Sequence, residues 1–251
     1  MSLEVRDLAV QFGGVAALGG VSFAVAPGRI TSLIGPNGAG KTTAFNVITG
    51  FLAADRGEVR YEGAPLTGLR PSRVARRGVV RTFQKTNVFP QVSVFENAMI
   101  GLYLRGRAGF WSVIRRDRRV RDEEAELEAT AGEILGFVGL AHRRHETASA
   151  LPYGEQRLLE LAIALAARPR LLLLDEPASG MNPAEKTALM GLIQRVREQG
   201  VTIFLVEHDM RLVMGISDEV IVLNHGLVIA HGPPAEMQRH PEVIRAYLGG
   251  A

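Results

Sequence analysis

Between Arg29 and Gly50 the chain reads RITSLIGPNGAGKTTAFNVITG: a short β-type run, a loop with glycines at Gly35, Gly38 and Gly40, and a helical run stopped by Gly50. The segment GPNGAGKT, Gly35 to Thr42, has the spacing G-x-x-x-x-G-K-[ST], with a strand before it and a helix after it as that motif requires. A strand–loop–helix unit of this kind belongs in an α/β fold. The glycines permit positive φ, so the loop of Gly35, Pro36, Asn37, Gly38, Ala39 and Gly40 can turn its N–H groups inward as a concave nest for an anion. The helix N-terminus beginning near Lys41 adds its partial positive charge. Lys41 adds a full charge for β- and γ-phosphates. The Thr42 hydroxyl is placed to ligate Mg²⁺ and Thr43 to touch the α-phosphate.

Other short β-type runs alternate with helical ones. LEVRDLAVQF alternates like a strand, and VSFAVAPGRITSLIG reads as two strands joined by a Pro27-Gly28 turn. GEVRYEG and GVVRTFQ read as strands. From Val94 to Leu140 the pattern is mostly helical and more charged. Strand signals return in LLLLDEP, VTIFLVEH and EVIVLNHGLVIAHG, separated by helices over Pro183 to Gln199 and Met210 to Ile216. Leu171 to Leu174 need burial on both faces, as in the middle of a parallel sheet. The expectation is one α/β domain with a helical insertion. The 251 residues, 47% of them apolar, are ample for a large core. No apolar run is long enough to span a bilayer, and the N-terminus has no secretion-signal pattern. With no cysteine, disulfides and thiolate metal sites are excluded, and the six histidines show no paired metal spacing.

The net charge of +3 is small, and its basic excess is local: arginines from Arg105 to Arg121 directly precede acids from Asp122 to Glu128. This reads as a solvated helical face with ion pairs, or as a basic surface near anionic lipid or a partner. It does not read as a nucleic-acid site, because aromatics other than Phe110 and Trp111 are missing and the rest of the chain is nearly neutral.

Two further segments carry chemistry. A buried strand ending in Asp175 and Glu176 is costly unless the acids meet a cation or water. Asp175 is expected to hold the metal through water. Glu176, on the other side of the strand, is expected to face an attacking water as general base. LPYGEQRLLELAIALA, Leu151 to Ala166, opens with the turn Pro152-Tyr153-Gly154 and runs into an apolar helix whose first N–H groups would suit a second anion.

Phe12, GPNGAGKTT, RTFQ, LPYGEQ, LLLLDEP, ASGMN and VEHD occur in the order of an ABC transporter ATP-binding subunit, and the chain resembles that family over nearly its whole length. The resemblance implies a P-loop NTPase (RecA-like) core with an antiparallel β subdomain and a helical subdomain inserted at about 92–168. It implies ATP and Mg²⁺ as ligands. It makes Phe12 the aromatic that stacks on adenine, rather than a strand-end core residue. It makes Gln84 the Q-loop glutamine that contacts Mg²⁺ and water, and His208 the switch histidine that orients Glu176. Two such subunits close head to tail, and Tyr153, Gly154 and Glu155 of one chain cap the γ-phosphate held by the other's loop. ASGMN is the D-loop between the two sites. The sequence departs from the common Leu-Ser-Gly-Gly-Gln signature at Pro152, Tyr153 and Glu155, and Asn182 stands where an aspartate is usual. Proline cannot supply the serine's hydrogen bond, so the helix dipole and the Gly154 N–H are expected to carry that contact.

FNVITG, RTFQ, SVFENAMIG, the Tyr-Gly turn and the C-terminal PEVIRAYLGG are similar to the LivG-type subunit of branched-chain amino acid importers. The implied partners are a second ATPase subunit, identical or different, integral membrane permease subunits and, indirectly, a periplasmic binding protein, but no nucleic acid. The implied location is the cytoplasmic face of the cell membrane. The segment after Gln84, KTNVFPQVSVFENAMIG, would receive the permease's coupling helices. A urea or amide importer and a lipid exporter share the same catalytic parts. A DNA-acting ABC ATPase would need a long heptad insertion, and a P-loop kinase or GTPase would lack LPYGEQ ahead of LLLLDEP.

Overall fold

A computed structural model describes residues 2–82, 88–103 and 118–248. The chain divides into two compact units, Met1–Arg81 with Arg170–Ala251, and Thr82–Pro169.

In the first unit, β1 (Leu3–Phe12), β2 (Val15–Val25), β4 (Arg56–Tyr61) and β5 (Ala64–Pro65) form an antiparallel sheet of order β2-β1-β4-β5. A second, six-stranded sheet has the order β10-β9-β3-β8-β7-β6. It is built from β3 (Ile30–Ile34), β6 (Val79–Arg81), β7 (Leu171–Asp175), β8 (Thr202–Val206), β9 (Glu219–Asn224) and β10 (Leu227–Gly232). All its pairings are parallel except the β9–β10 hairpin. The strands on either side of the Pro27-Gly28 turn thus enter different sheets. The Gly28 N–H donates to the Thr202 hydroxyl at 3.0 Å, and the Ile30 N–H donates to the Asp218 carboxylate at 2.8 Å.

Burial follows the two-residue period of these strands. Ile221 and Leu223 join a core with residues of both sheets and of α1 (Lys41–Ile48), whereas Val220 and Val222 face a second cluster with Val213, Met237 and Val243. Leu171 to Leu174 are all buried, as a central parallel strand demands. Phe204 of β8 joins the layers: its ring centroid lies 5.5 Å from Phe23 of β2 and 5.0 Å from Phe45 of α1. The shorter helices α2 (Pro71–Arg76), α7 (Met210–Ile216) and α8 (Pro234–Met237), with α6 (Pro183–Glu198) and α9 (Pro241–Leu248), complete the unit.

The second unit contains α3 (Val94–Tyr103), α4 (Arg118–Val138) and α5 (Tyr153–Ala166), each packed on the other two. A Cβ at Gly101 would lie 2.7 Å from the Ile163 carbonyl oxygen, so α3 and α5 cross closely there. Much of the Arg105–Arg121 run lies outside the described residues. Beyond it, Glu124, Glu126 and Glu128 are exposed on α4, the solvated face expected from their charge. Among the described residues no helix is long and apolar enough to cross a membrane.

Four adjacent parallel strands, β3, β8, β7 and β6, therefore deliver their C-terminal ends to one edge of the sheet, where ligands of open α/β sheets bind. Phe204→Ala, at a ring with no exposed surface, should cost about 3–5 kcal/mol, read as a lowered urea midpoint with unchanged slope.

Candidate active site

The glycine loop follows β3. Gly35, Gly38 and Gly40 have φ of 151°, 80° and 103°. At two of them glycine is also required by space: a Cβ would come within 2.1 Å of the Leu223 carbonyl oxygen at Gly35 and 2.5 Å of the Ala17 carbonyl oxygen at Gly40. Pro36 and Ala39 complete the turn, with Asn37 and Gly38 exposed at its tip. Lys41 is 6% exposed and donates to the Gly35 and Pro36 carbonyl oxygens at 2.7 and 2.9 Å. Burial pushes its ammonium below the ordinary lysine range, while the carboxylates of Glu176 and Asp175 pull it back up. The Lys41 ammonium thus feels both acids. Thr42 is exposed and Thr43 half-buried, both in the first turn of α1.

The strand β7 ends at Asp175, so Glu176 is not a further strand residue on the opposite face. It sits in a left-handed turn with φ 49°. Non-glycine residues are uncommon there and are held by their surroundings. The Glu176 N–H donates to the Val206 carbonyl at 2.8 Å, and its carbonyl accepts from the Ser179 N–H at 3.1 Å. This conformation aims the carboxylate at His208, whose Nε2 lies 2.5 Å from Glu176 Oε1. In the tautomer protonated at Nε2 the ring donates to that carboxylate. The pair stays open to the medium, the histidine side chain 44% and the glutamate 16% exposed.

Asp175 is 3% exposed, and a charge so deeply buried demands compensation. Arg81, the last residue of β6, donates from Nη2 to Asp175 Oδ2 at 2.6 Å. Its other end reaches Asn46 Oδ1 at 2.7 Å and Thr49 Oγ1 at 3.3 Å on and just beyond α1, over the Phe45 ring. One guanidinium thus joins the helix of the glycine loop to the acid of β7. Among the described residues no group of three His, Cys, Asp or Glu side chains could hold a metal by itself. The expected Mg²⁺ set of Thr42, Gln84 and Asp175 contains one carboxylate and would rely on phosphate and water oxygens for the rest, as Mg²⁺ sites do. The oxygen donors of Thr42 and Asp175 suit that ion, and Gln84 lies outside the described residues.

The signature turn belongs to the second unit. Pro152 is the N-cap of α5 rather than its first helical residue, and its carbonyl accepts from the Gln156 N–H at 3.0 Å. Tyr153 is 43% exposed, yet its hydroxyl accepts from Arg157 Nη2 at 2.7 Å and Nε at 3.0 Å. Arg157 is in turn held by Glu160 at 2.8 Å, both side chains buried. Gly154 is buried, and Glu155 pairs with Arg143 at 3.1 Å. Phe12 ends β1 and is 53% exposed, which removes the core reading of that ring.

A sequence profile of the ABC transporter family matches residues 18–179. The chain belongs to the ABC transporter family. It is an ABC-type ATPase. A second profile, branched-chain amino acid ATP-binding cassette transporter, matches residues 228–251. The high-affinity branched-chain amino acid transport ATP-binding proteins BraF of Pseudomonas aeruginosa and LivG of Escherichia coli K12 are each 42% identical over 250 residues, 99% of this chain and 98% of theirs. A probable LivG of Archaeoglobus fulgidus is 36% identical over 247 residues, 98% of this chain and 95% of its own. Among solved structures, a nucleotide-free ATP-binding cassette from an ABC transporter superposes with TM-score 0.86 at 32% identity, covering 99% of both chains. The ADP conformation of such a cassette gives the same score and identity, covering 99% of this chain and 98% of that one.

Within this ABC cassette, Asn182 in the D-loop position is accounted for locally. It caps α6, accepting from the Glu185 N–H at 3.0 Å, while the Glu185 carboxylate accepts from the Asn182 N–H at 2.8 Å. Further along, Lys186 donates to Asp209 at 2.7 Å; that bond holds the lysine above and the aspartate below their ordinary ranges. Sequence reasoning missed Arg81 and Glu207. The available signal was a charged residue closing an otherwise apolar strand, in GVVR and TIFLVE, as Asp175 closes LLLLD. Arg81→Met should leave Asp175 buried without its guanidinium and destabilise the chain by about 3–5 kcal/mol. The lower end is expected because Lys41 compensates in part, and urea denaturation measures the loss.

Proposed function

We propose that this chain is the ATP-hydrolysing subunit of an importer of branched-chain or related amino acids. It would work in a head-to-tail dimer with a second ATPase subunit, beneath membrane permease subunits on the cytoplasmic face, and be served indirectly by a periplasmic binding protein. The observation that carries the chemistry is the Glu176–His208 contact beside a buried Lys41 in the glycine loop. The near-full-length similarity to BraF and LivG, together with the matched C-terminal segment, supports the cargo class.

On this reading the loop from Gly35 to Gly40 cradles the phosphates with its N–H groups, and Lys41 leaves its two loop carbonyls for phosphate oxygens. Thr43 touches the α-phosphate, and Phe12 offers an exposed ring face to adenine. Mg²⁺, held by Thr42, by Asp175 through water and by Gln84, would neutralise phosphate charge during transfer. Glu176 takes the proton of the attacking water, and His208 fixes the carboxylate's direction. Arg81 keeps Asp175 from turning away. In the closed dimer the Gly154 N–H and the α5 dipole meet the γ-phosphate bound by the other chain, with Tyr153 and Glu155 flanking it. The Arg157 grip on Tyr153 preorganises that turn. The exposed Phe89 lies on the segment that would receive the permease. Its N–H and carbonyl are bonded by buried Asn97, at 2.8 and 3.0 Å, so that segment is tied to α3.

Glu176→Gln should reduce phosphate release by about 10²–10⁴-fold while ATP still binds. The variant should accumulate as a closed dimer on sizing with ATP and Mg²⁺; a monomer under those conditions removes the head-to-tail reading. ATP at a hundredfold excess over its Kd should stabilise the unaltered chain by about 2.7 kcal/mol in thermal unfolding. Lys41→Ala should abolish both that shift and cellular uptake of labelled leucine. Uptake that persists in this variant counts against the assigned cargo.

A further inference from the structure

We propose that Glu207 is a positioning residue that binds the D-loop to the switch histidine, so that Ala178–Asn182 and His208 move as one piece. The proposal rests on the ATPase reading above.

Glu207 follows β8 directly and is 4% exposed. Its two oxygens serve two different loops. Oε1 accepts from the Ala178 N–H at 2.8 Å, at the start of the loop after β7. Oε2 accepts from the His208 N–H at 2.9 Å, with a longer contact to the Asp209 N–H at 3.4 Å. Every one of these partners is a backbone donor, and only an ionised carboxylate offers acceptors on both sides. A glutamine of the same size can satisfy one loop but must turn its NH₂ toward the donors of the other. The chemistry of the position therefore specifies glutamate rather than a polar residue of similar length.

Glu207 sits beside two other links, one from the D-loop side to the end of β8 and one from α6 to the N-cap of α7. The Glu176 N–H is bonded to Val206 on one side, and Lys186 pairs with Asp209 on the other. Across this junction lies the Glu176–His208 contact, made by side chains that are themselves partly open to solvent. The backbone roots of both side chains are anchored: Glu176 to Val206, and His208 through its own N–H to Glu207. Because the same carboxylate also grips Ala178, a displacement of the D-loop is transmitted to the backbone of His208. In a head-to-tail dimer the D-loop lies between the two nucleotide sites. Glu207 would then make the geometry of the general base depend on whether the neighbouring subunit is docked. Coupling of this kind needs an element that both sites bias, and the paired loops are that element.

The test uses the full chain and two readouts. Glu207→Gln should lower kcat by about tenfold or more while KM for ATP stays within about twofold. Hydrogen exchange at the Ala178 amide, the His208 amide or both should accelerate by about tenfold or more, with distant core amides unchanged. A residue that merely supports folding would lower the melting temperature and raise exchange everywhere, leaving kcat per folded molecule intact; that result overturns the proposal. So does a kcat within about twofold of the unaltered chain. In the unaltered chain the Ala178 and His208 amides should exchange at a common rate and slow together when ATP and Mg²⁺ are added. Independent rates overturn the link even if the variant does not fold. An unaltered chain that releases no phosphate refutes the ATPase reading instead, and the exchange comparison in the free chain then judges Glu207 by itself.

Discussion

Asp175, Glu176 and Glu207 stand at the ends of two neighbouring, wholly buried strands at the same edge of the sheet, and the charge of Asp175 and Glu207 must be compensated there with little help from water. Isolated buried carboxylates are unstable, so each acquires dedicated partners. Asp175 takes the Arg81 guanidinium. Glu207 takes backbone N–H groups of two loops. Glu176 leaves the strand through a left-handed turn and reaches His208. Compensation of the acids and the geometry of the proposed site are thus the same set of contacts. The glycine loop with its own buried ammonium lies close enough for its lysine to feel two of the three acids.

The order of the strands is what makes this arrangement possible. β3, β8, β7 and β6 are consecutive neighbours, and all are parallel. Their C-terminal ends bring together the glycine loop, the Glu207-His208 pair, the Asp175-Glu176 pair and Arg81. Sheet and helix are clamped behind that edge by a core in which Phe45, Phe204 and Phe23 meet. Rigidity there matters because a base or metal ligand that strays by even an ångström loses much of its effect. The second unit is organised on the same principle at smaller scale. The signature tyrosine is exposed, but its hydroxyl is held by Arg157, and Arg157 is held by buried Glu160.

Much of this was legible from residues alone. The glycine loop, the Leu171–Leu174 strand and its two acids, and the strand signal of EVIVLNHGLVIAHG are contiguous patterns whose chemistry lies in their own backbone. The Met210–Ile216 helix was likewise read with its observed ends. Other features were misread for local reasons. Strand alternation carried Glu176 to the opposite face, because the turn that ends β7 at Asp175 depends on Val206 of a different strand. Pro152-Tyr153-Gly154 was read as a turn ahead of the helix, but only Pro152 stays outside it, as an extended N-cap, while Tyr153 and Gly154 are its first residues. The asparagine in the D-loop position, where an aspartate is usual, accepts the Glu185 N–H of its own helix as an aspartate would.

The sequence by itself determined the α/β class, the glycine loop, the acids and the membership in an ABC family, because each is written in a few adjacent residues and their order. Tertiary structure alone decided who compensates the acids. Arg81 meets Asp175 across 94 positions and Glu207 meets Ala178 across 29, pairs that no reading of the residues named; His208 meets Glu176 across 32, the pair that the family resemblance implied. No local pattern encodes those pairs. They exist because strands far apart in the chain lie side by side in the sheet, and only that adjacency brings buried charges within hydrogen-bond reach of one another.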